Sequence, residues 1–252
     1  MARLVLFGPG YVGGHLVARL RREGWDVDAF GRHADPQEVA AALARASHVL
    51  SSAPPEAGHD AVLDRYGAAI ERVGWIGYLS STGVYGDAAG AWVDEQAPLN
   101  GRRPERIAAD RAWLGLGARV FRLPGIYGPG RSVVERLQQG QAHRVALRTQ
   151  VFSRVHVADI VSAVVAASAR GPAGAYNLAD DEPASQNALI EWVCARAGWP
   201  LPALIAPDDP DLSPAARAFY RENRRVANGK ARRLLGWRPA FPSFREGLSA
   251  AL

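Results

Sequence analysis

An apolar run, Leu4-Val5-Leu6-Phe7, stops directly on Gly8-Pro9-Gly10-Tyr11-Val12-Gly13. Beyond it Val12, Leu16, Val17 and Leu20 recur at helical spacing until Gly24. A short buried strand, a glycine turn and a helix in that order leave few architectures open. The helix must pack back on its strand, and residues 27–30 supply the next strand almost at once. Such a unit calls for a parallel sheet with helices on both faces.

The alternation continues along the chain. Spacing predicts helices over 37–46, 61–73 and 105–116, and strands over 48–50, 75–79 and 118–123. Later come a helix over 157–169, a strand over 175–178 and a helix over 186–197. Prolines 200, 202, 207, 210 and 214 mark residues 200–214 as a loop or hinge. The expected fold class is α/β, a doubly wound parallel sheet of Rossmann type with a small C-terminal lobe. The division expected is 1–175 for the nucleotide-binding domain, with 126–150 contributing to the substrate lobe, and 176–252 for the small domain.

The glycine turn fits G-x-G-x-x-G in the context that makes it informative. Gly8 permits the tight turn, Gly10 lets backbone approach a pyrophosphate, and Gly13 allows close helix–strand packing. Free N–H groups and the dipole at the helix start, at Tyr11 and Val12, favour negative charge. A dinucleotide is therefore the expected ligand. The second strand ends in Gly31-Arg32-His33, with no acid placed for a ribose 2′-OH, since Asp28 falls too early. Arg32 can fork onto a 2′-phosphate instead, so NADP is expected over NAD. Ser52 and Ala53, past the third strand, and Pro124, past the strand over 118–123, complete the expected cofactor wall.

Composition narrows the chemistry. Of 30 basic residues only Lys230 is a lysine, so any lysine relay must use it. The net charge of +5 suits an anionic small molecule and does not by itself argue for nucleic acid. Cys194 is the one cysteine, which excludes an intrachain disulfide, and it falls among apolar helical positions. The six histidines show no metal spacing, so no metal is expected. His156 and Asp159 read as residues that fix a helix start. No uncharged stretch reaches membrane-spanning length, and Leu4 to Phe7 is too short for a leader core, so the expected compartment is the cytoplasm, without a membrane partner.

Taken together the motifs resemble the extended short-chain dehydrogenase/reductase family, also called the NAD-dependent epimerase/dehydratase family. The resemblance rests on Gly8 to Gly13, Ser80-Ser81-Thr82-Gly83-Val84-Tyr85-Gly86 and Arg122-Leu123-Pro124-Gly125-Ile126-Tyr127-Gly128-Pro129-Gly130. It extends to Arg154-Val155-His156-Val157-Ala158-Asp159-Ile160 and Tyr176-Asn177-Leu178. It implies that Ser81, with Thr82 beside it, matches the family's strand-end hydroxyl. It also implies a substrate lobe entered near Tyr127 and Arg131, the expected substrate contacts.

The same resemblance implies a Tyr-x-x-x-Lys pair on the helix over 105–116. Matching Ile107-Ala108-Ala109-Asp110 to that helix puts Arg106 at the lysine position and Arg102 at the tyrosine position. Arg106 retains a cation for the cofactor, whereas an arginine at 102 cannot shuttle a proton near neutrality. Tyr85 and Tyr127, at strand ends, are the expected surrogate acids or else ring walls of the pocket. Two functions follow: an atypical NADP-dependent oxidoreductase or epimerase-like enzyme, or a protein that binds NADP(H) as a redox signal.

Overall fold

The computed structural model describes residues 2–210 and 212–252. The first half runs β1 (Arg3–Phe7), α1 (Tyr11–Arg22), β2 (Asp26–Phe30), α2 (Pro36–Arg45), β3 (His48–Ser51), α3 (Ala61–Ile70), β4 (Trp75–Ser81), β5 (Trp92–Val93), α4 (Pro104–Gly115) and β6 (Arg119–Leu123). The second half runs β7 (Gly125–Tyr127), α5 (Val133–Gln138), β8 (Arg144–Val145), β9 (Arg154–His156), α6 (Val157–Ala169), β10 (Gly174–Asn177), α7 (Gln186–Ala197), β11 (Leu204–Ile205), α8 (Pro214–Tyr220), β12 (Arg225–Val226), α9 (Gly229–Leu235) and α10 (Phe244–Ser249).

Six strands form one parallel sheet in the order β10-β6-β4-β3-β1-β2. Successive side chains of a strand face opposite ways, and both sets in β1 are apolar. Leu4 and Leu6 join Leu16, Ile160 and Tyr176 under α1 and α6. Val5 and Phe7 join Val39, Val62 and Trp113 under α2, α3 and α4. The strand order reverses at β1, with β2 on one side and β3 on the other. In such sheets the crevice past the carboxyl ends at the reversal is where ligands bind.

Polar locks hold the helices in place. Asp60 caps α3 by accepting from the Val62 and Leu63 amides, and its other oxygen accepts from Trp113 Nε1 at 2.8 Å. Trp75 Nε1 donates to the Ala167 carbonyl at 2.9 Å, tying β4 to α6. His156 caps α6 by accepting from the Ala158 amide at 3.2 Å. Asp159, one turn on, accepts from the Ala240 and Phe241 amides. Cys194 is buried.

The lobe is assembled from short pieces: β7 pairs with β9, β8 with β11 and β5 with β12. Tyr127, Val134, Ile190, Val193 and Phe244 form its core between α5, α7 and α10. The chain does not divide at one point. β10 spans residue 175 as the sixth strand of the main sheet, and Ala231, Leu235 and Trp237 return to the body's core. Within 200–214 the last proline is not loop: Pro214 opens α8, where a missing N–H costs nothing, and Ser213 caps it by accepting from Ala216. The helix expected over 61–73 stops at Ile70, and the Val73 amide closes the turn on the Ile70 carbonyl.

Among the described residues no helix is long and apolar enough to cross a membrane, and no group of three His, Cys, Asp or Glu residues is placed to hold a metal.

Candidate active site

A cleft of about 1460 Å³ opens at the carboxyl ends of β1 to β4 and reaches under the lobe. Its floor is the glycine turn. Gly8 has φ +78°, and its amide donates to the Phe30 carbonyl at 2.9 Å. Ser52 braces the turn from β3: its amide donates to Phe7 O and its hydroxyl to Gly8 O. Ala53 packs so tightly there that a side chain at Gly8 would sit 3.0 Å from its nitrogen. Gly13 lies underneath, where a Cβ would come 2.8 Å from Gly8 O. At Gly10 the space a Cβ would take is open to the cleft.

The first turn of α1 has no side-chain cap and no acidic residue. Its leading amides therefore point unsatisfied at the cleft, the geometry that receives an anion. A pyrophosphate fits this cradle. Tyr11 lines the same end. Its hydroxyl donates to the Pro129 carbonyl at 3.0 Å, burial pushes its pKa up, and the Arg131 guanidinium lies 5.4 Å from its ring. Arg131 thus stands at the phosphate turn rather than deep in the lobe.

Beyond β2, Arg32 faces the cleft and pairs with Glu56 at 2.7 Å, both side chains largely exposed. Asp28 turns the other way and takes Arg45. Glu56 comes from the segment after β3, so the ribose end holds one cation and one carboxylate that β2 does not supply.

At the opposite end stand Ser81, Thr82, Pro124 and the start of α4. Ser81 Oγ accepts from the Gly83 amide at 3.1 Å. It caps the turn after β4, and its own proton stays free to donate into the cleft. Thr82 is buried beside it. Arg106 lies in the first turn of α4 and lines the cleft, with burial and then Arg103 pulling its pKa down. Arg102 precedes α4 and reaches the lobe, donating to Glu222 at 2.7 Å and to the Ala218 carbonyl at 2.8 Å. Lys230 is elsewhere: its ammonium sits 5.0 Å from the Tyr176 ring, off the cleft.

Two expected tyrosines lie outside the cleft wall. Tyr85 is buried, donates to Asn177 Oδ1 at 2.7 Å and accepts from Arg122 Nη1 at 3.0 Å. Arg122 in turn forks onto Asp110, which also accepts from Ser80. Burial raises the Tyr85 pKa, so its phenol is held as a donor inside this network. Tyr127 is equally buried. Its hydroxyl donates to the Ser243 carbonyl, and its ring meets His156 edge-on at 5.2 Å. Tyr85 packs against Val93 and Val226, and Tyr127 sits in the lobe core with Phe244, so neither ring reaches the cleft wall.

The cleft wall carries seven arginines against two glutamates. Glu56 takes Arg32, and Glu222 takes Arg102 and Arg224. Among the described residues Arg65, Arg103, Arg106 and Arg131 have no carboxylate partner. Sequence reasoning missed Glu56, Arg103, Glu222 and the Phe152–Phe219 pair. None lies in a recognisable motif; Glu56 reaches the cleft from the segment after β3, and Glu222 and the Phe152–Phe219 pair reach it through the folding of the lobe.

No protein-family model matches the chain. A functionally unknown conserved protein from Silicibacter pomeroyi is 38% identical, covers 99% of this chain and 98% of its own, and superposes with a TM-score of 0.90. MoeE5, solved with UDP-glucuronic acid and NAD, is 21% identical over 98% of this chain and 97% of its own, with a TM-score of 0.78. Human epimerase family protein SDR39U1, solved with NADPH, is 15% identical over 98% of each chain, with a TM-score of 0.79. A 3-diazoavenalumate denitrifying reductase from a Streptomyces species is 30% identical over 62% of this chain. The chain spans 58% of that reductase's length. With its motifs placed on this sheet and cleft, the chain shares the Rossmann-type fold of the NAD- and NADPH-bound proteins on which it superposes.

Proposed function

We propose that the protein is an NADP-dependent oxidoreductase that reduces a small molecule without a Tyr-x-x-x-Lys pair. The observation that carries this reading is the pairing, in one cleft, of an open phosphate cradle with Ser81 and Arg106. A nicotinamide cofactor held in this cleft would supply hydride to the substrate carbon, and negative charge would gather on the substrate oxygen. The free proton of Ser81 can hydrogen-bond that oxygen, and Arg106 adds a fixed positive charge in a partly dry site. Neither group titrates near neutrality, so water supplies the last proton. The reductase among the relatives supports the same direction.

Arg32 supports NADP over NAD, because its guanidinium can exchange Glu56 for a 2′-phosphate. Glu56 is the carboxylate an NAD ribose would use. The opposed pair argues for a modest preference, about tenfold or about 1.4 kcal/mol.

NADPH consumption against a panel of carbonyl compounds tests the reading. The expected result is turnover that falls about 100-fold in Ser81→Ala with NADPH affinity unchanged. Arg32→Ala should lose the NADPH preference and keep NADH binding. Tight NADPH binding with no turnover on any compound would instead favour a redox-sensing protein.

A further inference from the structure

The substrate end of the cleft has a composition that the cofactor does not explain. Phe219, on α8, is 47% exposed, yet it lines the cleft. One face of its ring stacks on Phe152 at 4.1 Å between centroids and 17° between planes. Phe152 is itself buried, so the pair is a fixed flat shelf rather than a loose side chain. Arg102 holds that shelf toward α4 by donating to the Ala218 carbonyl, next to Phe219. Arg103, next in the chain to Arg102, lines the same cleft. Its Nη2 lies 3.8 Å from where a Cβ on Gly83 would sit, and Ser81 Oγ lies 3.3 Å from the same point. Arg103 has no carboxylate partner among the described residues, whereas Arg102 and Arg224 both pair with Glu222.

We infer that the substrate is a small aromatic acid, its ring on the Phe219 shelf and its anionic group on Arg103. This deepens the oxidoreductase reading above and rests on it. Flat apolar area and an unpaired guanidinium in one cleft select a ligand that carries both features. A ring gains offset stacking beyond simple burial, which a flexible alkyl chain does not. An unpaired cation in a partly enclosed cleft favours an anion over an isosteric amide, and a guanidinium fork fits carboxylate geometry. Phe219 and Arg103 are then specificity-determining residues, while Ser81 keeps its place at the reacting oxygen. The cleft has room for a dinucleotide and a small ligand together, since drug-sized sites occupy roughly 300–1,000 Å³.

Calorimetric titration of the NADP⁺-loaded protein tests this with cinnamate, cinnamamide and hexanoate as probes. The expected result is cinnamate binding at least tenfold tighter than either comparison compound. Arg103→Gln should abolish the preference for cinnamate over the amide, and Phe219→Leu the preference over hexanoate. NADP⁺ titration of the same variants reports whether each is folded and whether the cofactor site works. Intact NADP⁺ binding with equal affinity for all three probes, or with cinnamate affinity unchanged in both variants, overturns the inference and leaves the oxidoreductase reading standing. Failure of the wild type to bind NADP⁺ overturns that reading instead.

Discussion

Asp180 shows what a single residue contributes to this fold and what it costs. It follows β10, is 2% exposed, and its amide donates to the Arg154 carbonyl at 2.7 Å. Burial pushes its carboxyl pKa up to about 8, against the opposing pull of Arg154. Arg154 is itself buried, its guanidinium drawn down to about 10. A raised carboxyl pKa means the folded chain holds a proton that the unfolded chain has already released. Its stabilising share is complete below about pH 4 and is lost as pH rises toward 8. Asp180→Asn should therefore gain on wild type between pH 5 and pH 8, by at most about 1.4 kcal/mol per pH unit. Denaturant midpoints at the two pH values check this, and a constant difference would refute it.

At the level of elements the phosphate turn works because α1 can approach β1 closely. Gly13→Ala would bring a methyl against Gly8 O, a backbone atom that can yield only by moving the turn. Overpacking of this kind costs about 1–3 kcal/mol, and here the displaced atoms also carry the ligand site. NADPH titration should show an affinity loss of at least tenfold in Gly13→Ala. Gly14, one residue on, meets nothing within 4 Å. Gly14→Ala should keep its affinity and gain about 0.5–1 kcal/mol of stability. The same contrast explains what could be read from the chain alone. α1, α6 and α7 follow their apolar spacing, and Gly8 to Gly13 is a continuous signal. The lobe is different. β5, β7, β8, β9, β11 and β12 are two or three residues long, too short for any period to register. Their partners lie far off in sequence, as with Trp92 and Arg225. Phe219 escapes notice for that reason, and Glu56 and Arg103 because each reaches the cleft by tertiary packing from outside any motif. Pro214 misleads in the opposite sense, because a proline inside a run of prolines reads as loop while its role is to start a helix.

Over the whole molecule the charge of +5 is unevenly spread. Much of the unpaired positive charge faces one cleft, shared between body and lobe through Arg102 and Glu222. A polyanionic ligand should therefore stabilise the entire chain by mass action. At 100-fold excess over its Kd, NADPH should add about 2.7 kcal/mol to unfolding, seen as a raised Tm. The gain at fixed NADPH concentration should shrink as salt is added, because screening weakens the ligand's grip on exposed arginines such as Arg32. A Tm indifferent to NADPH would contradict the placement of the site.

Helix α4 separates these demands along its own length. Asp110 and Trp113, in its later turns, are fully buried and tied to Arg122, Ser80 and Asp60. Arg103 and Arg106, at its start, line the cleft. The anchor and the working end are separate sets of residues on one rod. New side chains at the working end leave the anchor's bonds as they are, so the helix acts as a socket into which evolution can fit a different chemistry without rebuilding the fold.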